Sequence, residues 1–182
     1  MKIKLAAELQ PDSVVDGSGI RTVIWTQGCE HNCFGCHNPD THDINGGAEF
    51  DIEEIFAEID KLDSQDGITF SGGDPMMQPK ACYAIAKYAK SKGLNIWCYT
   101  GYTFERLKEL SKKNINIADF LNEIDVLIDG PFILKQKSFS CKFRGSSNQR
   151  IIDLKRTLHE GQVILLEEAE EISFSKPKGI YI

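Results

Sequence analysis

The chain has 182 residues, of which 41% are hydrophobic and 26% are charged, and its formal net charge at pH 7 is −6. This composition excludes a disordered or collagen-like chain and predicts a single domain over residues 1–182. Acidic residues outnumber basic ones by 27 to 21, which argues against a protein that coats nucleic acid, since such proteins carry a basic face. The apolar runs fall far short of the ~20 residues that cross a bilayer, so we expect a cytoplasmic protein with no membrane or nucleic-acid partner.

Short apolar runs alternate with helical patterns, and this alternation is typical of a parallel sheet built from βα units. The predicted strands in chain order cover residues 20–27, 68–71, 94–99 and 124–128. The predicted helices cover residues 51–62, 80–92 and 104–110, with a further helical stretch at 117–121. Asp51 and Glu54 are placed to form a capping box at the first helix. Three more strands are predicted at residues 150–154, 162–166 and 172–174.

Four of the predicted strands end in loops that carry glycine or polar residues. The loops begin at Gly28, Ser71, Tyr99 and Asp129. Because ligands of parallel α/β sheets bind at the carboxyl ends of the strands, the four loops together predict one shared site. Glycine also ends strands before ordinary turns, and that alternative would account for any single loop.

Three of the six cysteines lie within eight residues, in the spacing Cys-x3-Cys-x2-Cys formed by Cys29, Cys33 and Cys36. Disulfides are rare in a reducing compartment, so such a thiolate cluster predicts a metal site. A structural zinc site would need a fourth ligand, for which His31 and His37 are available. A cubane held by three cysteines would keep one iron open to an outside ligand, as catalytic metal sites do.

These motifs resemble those of the radical S-adenosylmethionine superfamily. The cysteine spacing after the first strand resembles its cluster motif, and SGGDP at residues 71–75 resembles its Gly-Gly-Glu-Pro segment. The segment DGSGIR at residues 16–21 is similar to one in the glycyl-radical-enzyme activases, as are WTQGC at 25–29 and CHNP at 36–39. RGSSNQR at residues 144–150 and DGPF at 129–132 resemble the anaerobic ribonucleoside-triphosphate reductase-activating proteins. The resemblance runs from about residue 12 to about residue 154.

The resemblance implies an α/β fold, an incomplete (β/α) TIM-like barrel with a parallel sheet that is open on one side. It implies that Cys29, Cys33 and Cys36 hold three irons of a 4Fe-4S cluster, with S-adenosyl-L-methionine on the fourth. Reductive cleavage would give methionine and a 5′-deoxyadenosyl radical, which takes hydrogen from a glycine loop of anaerobic ribonucleoside-triphosphate reductase. The implied electron donor is a protein such as flavodoxin or ferredoxin, and a homodimer is left open.

The residues expected to contact the cofactor follow from the same motifs. They are Gly35, Cys36, His37, Gly72, Gly73, Asp74, Tyr99, Thr100 and Asp129. Gly72 and Gly73 suit this role because a backbone without Cβ lets a ligand approach closely. Many superfamily members carry an aromatic residue where this chain has Gly35. Asp16 and Arg21 are candidates for binding the partner's loop, since a backbone segment offers both hydrogen-bond donors and acceptors. Without the resemblance, Asp16 would be interpreted as part of a turn and Arg21 as a surface charge.

Two other functions remain compatible with the motifs. One is a radical S-adenosylmethionine enzyme that acts on a small molecule, such as a deazapurine-forming synthase. The other is a zinc or iron–sulfur binding module without catalysis. Outside the motifs, Cys82 and Cys98 are expected to be buried small hydrophobes. Unless it is the fourth ligand of a zinc site, His31 is expected to be a surface residue. His42 and His159 are also expected at the surface.

Overall fold

A computed structural model describes residues 1–166 of the chain. Within this part, eight strands form one mixed sheet, and five α-helices pack against it. The strands are β1 (Lys2–Leu5), β2 (Gln10–Ser13), β3 (Arg21–Thr26), β4 (Ala48–Asp51), β5 (Gly67–Gly72), β6 (Asn95–Tyr99), β7 (Val126–Asp129) and β8 (Arg150–Asp153). The helices are α1 (Ile52–Asp60), α2 (Pro79–Ser91), α3 (Phe104–Ser111), α4 (Ile115–Glu123) and α5 (Leu154–Glu160).

The centre of the sheet consists of four parallel strands in the order β3-β5-β6-β7. Antiparallel strands extend it on both sides, with β1 and β4 beyond β3 and with β8 beyond β7. The predicted parallel α/β arrangement is confirmed for the centre, and the sheet is mixed and not closed among the described residues. Because parallel strands share one carboxyl edge, the four predicted loops lie along the same edge.

The alternation of side chains along each strand gives the sheet two unlike faces. One face packs on the helices and forms the main core, which includes Ile24, Phe70 and Cys98. The opposite face, which we call the open face, carries a smaller cluster that includes Trp97 and Ile128. Neighbouring residues such as Trp97 and Cys98 therefore point to opposite sides of the sheet.

Arg21 lies at the base of the open face and is fully buried. Its guanidinium donates to Thr69 Oγ1 at 2.6 Å and to the Ile68 carbonyl at 2.7 Å. It also lies 5.2 Å from the ring centroid of Trp97. Burial lowers the pKa of Arg21 to about 10, so the group stays charged at neutral pH. This burial contradicts the prediction that Arg21 grips a partner loop, because the guanidinium is enclosed by the sheet that it stabilises.

The sequence-based boundaries are close for the central strands and the first four helices, and the capping box is confirmed by the Asp51 amide, which donates to Glu54 at 3.2 Å. The edge strands β1, β2 and β4 were not predicted. The strand predicted at residues 162–166 is wrong, since only Leu165 forms an isolated bridge there, and helix α5 was missed. The strand predicted at 172–174 lies outside the described residues.

No helix within residues 1–166 combines the length and the apolar character that crossing a bilayer requires.

The buried guanidinium gives a stability prediction. Arg21→Ala should lower the free energy of unfolding by about 3 kcal/mol, because it leaves a cavity and several unpaired buried acceptors. Arg106→Ala is the matched control, since Arg106 is exposed and pairs with Glu109 on the same helix, at 3.1 Å; it should cost less than about 0.5 kcal/mol. Urea unfolding followed by circular dichroism measures both. Equal stability of the two variants would contradict the structural role of Arg21.

Candidate functional site

A cleft opens at the carboxyl edge of the parallel strands and has two adjoining parts. The first, which we call the cysteine pocket, has a cavity volume of about 110 Å³ and is lined by the three motif cysteines. The second, the outer pocket, has a volume of about 370 Å³ and lies over the open face. The two parts share Cys36, Ser71, Tyr99, Phe132 and Gln149. The predicted shared site therefore exists as one continuous cleft.

The three motif cysteines are free thiols of intermediate burial. The Cys36 amide donates to the Cys33 carbonyl at 3.1 Å, which turns the second half of the motif back on itself. Burial raises the pKa of Cys29 to about 11, with further contributions from Asp74 and the other two thiols. Partly buried thiols beside a carboxylate favour a cationic partner, because a metal stabilises the thiolate form.

The donor set fits an iron–sulfur cluster. Among residues 1–166, no three His, Cys, Asp or Glu side chains are arranged to hold one metal ion. The three thiols nevertheless line one pocket, which suits a cluster in which each thiolate binds a different iron. The histidines available as a fourth zinc ligand have other contacts: His31 bonds Asp74 at 2.7 Å, and the ring of His37 packs on Phe132 with centroids 4.7 Å apart.

The diglycine segment after β5 packs against the start of the cysteine loop. The Gly73 amide donates to the Thr26 carbonyl and the Asp74 amide to the Gly28 carbonyl, both at 2.8 Å. A Cβ at Gly73 would lie 2.3 Å from the Gly28 oxygen, and one at Gly72, where φ is +101°, would lie 2.5 Å from the Thr26 oxygen. Both glycines are thus required by close packing of the protein's own backbone, in addition to lining the cysteine pocket.

Asp74 joins three segments that are distant in sequence, and it is fully buried. Its carboxylate accepts hydrogen bonds from His31 Nε2 at 2.7 Å, in the cysteine loop, and from the Met76 amide at 2.9 Å. It also accepts from Thr100 Oγ1 at 2.9 Å and from the Gly101 amide at 3.0 Å, both after β6. The prediction that Asp74 itself contacts a cofactor is contradicted by this burial. The hydrogen bond from His31 also corrects the expectation that His31 is a surface residue, and it raises the pKa of His31.

The second half of the cysteine loop packs against the segment after β7. A Cβ at Gly35 would lie 3.2 Å from Leu134 Cδ1, and Gly35 has a φ of +76°. A large aromatic side chain at this position would be strained and would meet Leu134. Phe132 lines both parts of the cleft and contacts His37, so an aromatic surface is supplied from another part of the chain.

Asp129 is buried at the end of β7, with 1% of its surface exposed. Its carboxylate accepts from the Phe104 amide at 2.7 Å, at the start of α3, and from Arg150 Nε at 2.9 Å. These bonds join β7, β8 and α3 behind the cleft. The prediction that Asp129 contacts a ribose or an ion is therefore contradicted, because both carboxylate oxygens are engaged inside the protein.

The remaining predicted residues divide between the two parts of the cleft. Tyr99 and Thr100 line the cysteine pocket, and Asp16 and His37 line the outer pocket. Burial raises the pKa of the Tyr99 phenol, so it is neutral at physiological pH.

Several residues that line the cysteine pocket were not assigned to it from the sequence, among them His31, His42, Phe132 and Gln149. His31, Phe132 and Gln149 lie inside segments that were singled out as motifs, so position within a motif was the available signal. Gln149 illustrates what the sequence could not show: it accepts from the Gly145 amide at 2.9 Å and donates to the Gly130 carbonyl at 3.1 Å, closing the cleft wall.

Most of the chain is similar to known proteins. Residues 15–152 match a family described as a 4Fe-4S single cluster domain. The chain is 35% identical over 153 residues to the anaerobic ribonucleoside-triphosphate reductase-activating protein of Salmonella typhimurium, covering 80% of this chain and 96% of that protein. It is 39% identical over 105 residues to the pyruvate formate-lyase-activating enzyme of Clostridium pasteurianum, covering 54% of this chain and 44% of that one.

Among solved structures, QueE from Escherichia coli aligns with a TM-score of 0.47 and 16% identity, over 57% of this chain and 54% of that chain.

The three thiols and the matching domain define a protein of the 4Fe-4S single cluster class. The near-full-length relatives narrow this class further: the chain belongs to the family of anaerobic ribonucleoside-triphosphate reductase-activating proteins. The resemblance drawn from the cysteine spacing and from residues 144–150 is confirmed.

The tight backbone contact at Gly73 gives a test of the site. Gly73→Ala should displace the cysteine loop, because its Cβ would lie 2.3 Å from the Gly28 carbonyl oxygen. We expect iron bound after anaerobic reconstitution to be lost to a chelator about 10-fold faster than from the wild type. Gly93→Ala is the control: its φ is +83°, but no atom lies within 4 Å of its Cβ and it is remote from the cleft. Wild-type iron retention by Gly73→Ala would contradict the assigned packing.

Proposed function

We propose that this protein is a glycyl-radical activase that cleaves S-adenosyl-L-methionine reductively and removes a hydrogen atom from a glycine of anaerobic ribonucleoside-triphosphate reductase. The observation that carries the proposal is the cysteine pocket itself. Three free thiols and the diglycine line it together, in a chain that belongs to the activating-protein family. Three cysteines on a four-iron cluster leave one iron for an outside ligand.

Cys29, Cys33 and Cys36 would hold the cluster. When bound, a 4Fe-4S cluster supplies one low-potential electron, which splits a sulfonium C–S bond into methionine and a 5′-deoxyadenosyl radical. The diglycine lines the cysteine pocket, and we assign its backbone carbonyl groups as acceptors for the N–H groups of the substrate's amino nitrogen, whose lone pair stays available to the open iron.

The outer pocket suits the adenosyl end of S-adenosyl-L-methionine. Its volume of about 370 Å³ lies within the range of small-molecule sites. Phe132 and His37 present adjoining rings there, and Tyr99 lines both parts of the cleft. Aromatic faces of this kind stack on an adenine. We assign Phe132 to the role that the aromatic residue before the third cysteine has in related proteins, since this chain has Gly35 at that position.

Removal of a hydrogen atom from a glycine Cα needs no general acid or base, and the demand on the protein is access and alignment. The outer pocket lies over the open face of the sheet, and Val15, which is 71% exposed, forms part of its rim. We propose that the sheet is the incomplete barrel implied by the family and that the partner's glycine loop enters at this open side. Asp16, on the wall of the same pocket, remains the candidate contact for that loop.

One anaerobic experiment tests this function. Reduced protein is mixed with S-adenosyl-L-methionine and the candidate reductase, and the electron paramagnetic resonance spectrum is recorded while 5′-deoxyadenosine is quantified. We expect a glycyl doublet and 5′-deoxyadenosine in equal amounts. Cleavage without a protein radical, stimulated by a metabolite, would indicate the small-molecule enzyme. A colourless protein that holds one zinc after reconstitution would indicate a binding module.

A cysteine substitution tests the cluster assignment. Cys33→Ala should reduce cleavage of S-adenosyl-L-methionine to background, because it removes one of three iron ligands, and should leave the far-ultraviolet circular dichroism spectrum unchanged. Cys141→Ala is the matched control, since Cys141 is also a half-buried free thiol but lies outside the motif. Cleavage retained by Cys33→Ala, measured as methionine release, would refute the assignment.

A further inference from the structure

His31 lies between the first two cysteines of the motif, and its surroundings differ from those of a solvated loop residue. Only 16% of its side-chain surface is exposed, and Nε2 lies 2.7 Å from Asp74 Oδ2. The ring packs edge-on against Tyr102, with centroids 4.4 Å apart. A Cβ on Gly101 would lie 2.3 Å from His31 Cδ2. The imidazole therefore fills a defined space beneath the loop after β6.

The residue before His31 is held by the same loop. The Tyr102 hydroxyl contacts the Glu30 carboxylate, so two consecutive residues of the cysteine motif are bound by the segment 100–102. The carboxylate that receives His31 is fully buried, and its other partners are the Thr100 hydroxyl and two backbone amides. His31 thus ties the interior of the cysteine motif to the Asp74 carboxylate and, through it, to the ends of β5 and β6.

A hydrogen bond to a buried carboxylate is strong and directional. Bonds to charged groups contribute about 1.5–3 kcal/mol, and an unpaired buried carboxylate is costly. Groups that orient metal ligands through such bonds have a measurable effect on the metal, typically about 10–100-fold in affinity or activity. The His31–Asp74 bond has this form, because it fixes the loop that carries Cys29 and Cys33.

We propose that His31 is a positioning residue, which through Asp74 fixes the cysteine motif against the ends of β5 and β6 so that its thiolates face the diglycine. The inference rests on the proposed function in that the group held by the thiolates is an iron–sulfur cluster. His31 has no role as an iron ligand in this proposal, since Nε2 is engaged by Asp74 and no ligand set for one metal ion includes His31 among residues 1–166.

Three variants separate positioning from ligation. His31→Phe keeps the ring but removes the bond to Asp74. His31→Gln places an amide donor near the position of Nε2 without an imidazole. Gly101→Ala leaves both bonded residues unchanged and puts a methyl group into the space of the His31 ring, without the strain of a positive φ. His159→Phe is the matched control, because His159 is exposed near the end of α5.

Each variant is reconstituted anaerobically, and three quantities are measured: the rate of iron loss to a chelator, the paramagnetic resonance spectrum of the reduced cluster with increasing S-adenosyl-L-methionine, and the thermal melting curve. For His31→Phe we expect iron loss about 10–100-fold faster than in the wild type and a spectral change that needs correspondingly more S-adenosyl-L-methionine. Gly101→Ala should show the same changes as His31→Phe. For His31→Gln we expect the rate of iron loss and the required concentration of S-adenosyl-L-methionine to lie within a few-fold of the wild type. His159→Phe should match the wild type in both.

The outcomes that overturn the proposal are distinct from those that overturn the function. Wild-type iron loss and spectra in both His31→Phe and Gly101→Ala would show that the bond does not position the motif. Iron loss from His31→Gln as fast as from His31→Phe would show that a hydrogen-bond donor to Asp74 is not what His31 supplies, and would overturn the proposal. If the wild-type protein holds zinc and no cluster, the proposed function fails, and the same variants test positioning through the rate of zinc loss. A fall in melting temperature without any change in iron loss or spectra would show a structural role only.

Discussion

The buried carboxylate of Asp74 is the interaction on which the site depends. It is fully enclosed and accepts hydrogen bonds from the cysteine loop, from the turn after β5 and from the loop after β6. A buried charge without partners would be costly, so the three loops pack together only when these hydrogen bonds are made. The arrangement converts three chain segments, separated by more than 25 residues each, into one wall of the cysteine pocket. The free thiols and the diglycine line that pocket together.

The sheet supplies the rigid base that this arrangement needs. Its helix-covered face buries a continuous apolar core, whereas its open face carries Arg21 and Trp97 below and Tyr99 above. The buried guanidinium closes the lower end of the open face, where Gly17 packs directly over it: a Cβ there would lie 2.7 Å from Arg21 Cδ. The cleft is therefore confined to the carboxyl edge, where Ser71 and Tyr99 reach both of its parts. A hydrogen-atom abstraction from a partner protein requires a rigid sheet beneath the cleft and access at the carboxyl edge.

Local patterns predicted the central strands, the first helices and the cysteine motif, because each leaves a periodic or spaced signal in the sequence. Contacts between distant residues leave no such signal. Nothing near His31 indicates a partner 43 positions away, and Asp74 looks like a loop acid although it is fully buried. The diglycine lines the same pocket as the thiols, but the chain that approaches it is the protein's own backbone at Thr26 and Gly28. Arg21 could have been recognised as a buried residue, since it lies on the same face of β3 as the apolar Val23.

The central claim is that three thiolates leave one iron of a cluster open for S-adenosyl-L-methionine beside the diglycine. Electron–nuclear double resonance of the reduced protein, with ¹⁵N in the amino group of S-adenosyl-L-methionine, tests this claim directly. The account predicts a ¹⁵N coupling from the labelled amino group that is absent in Cys33→Ala. A coupling from a histidine nitrogen of the protein, with none from the label, would show that a protein ligand occupies the fourth iron and would contradict the account.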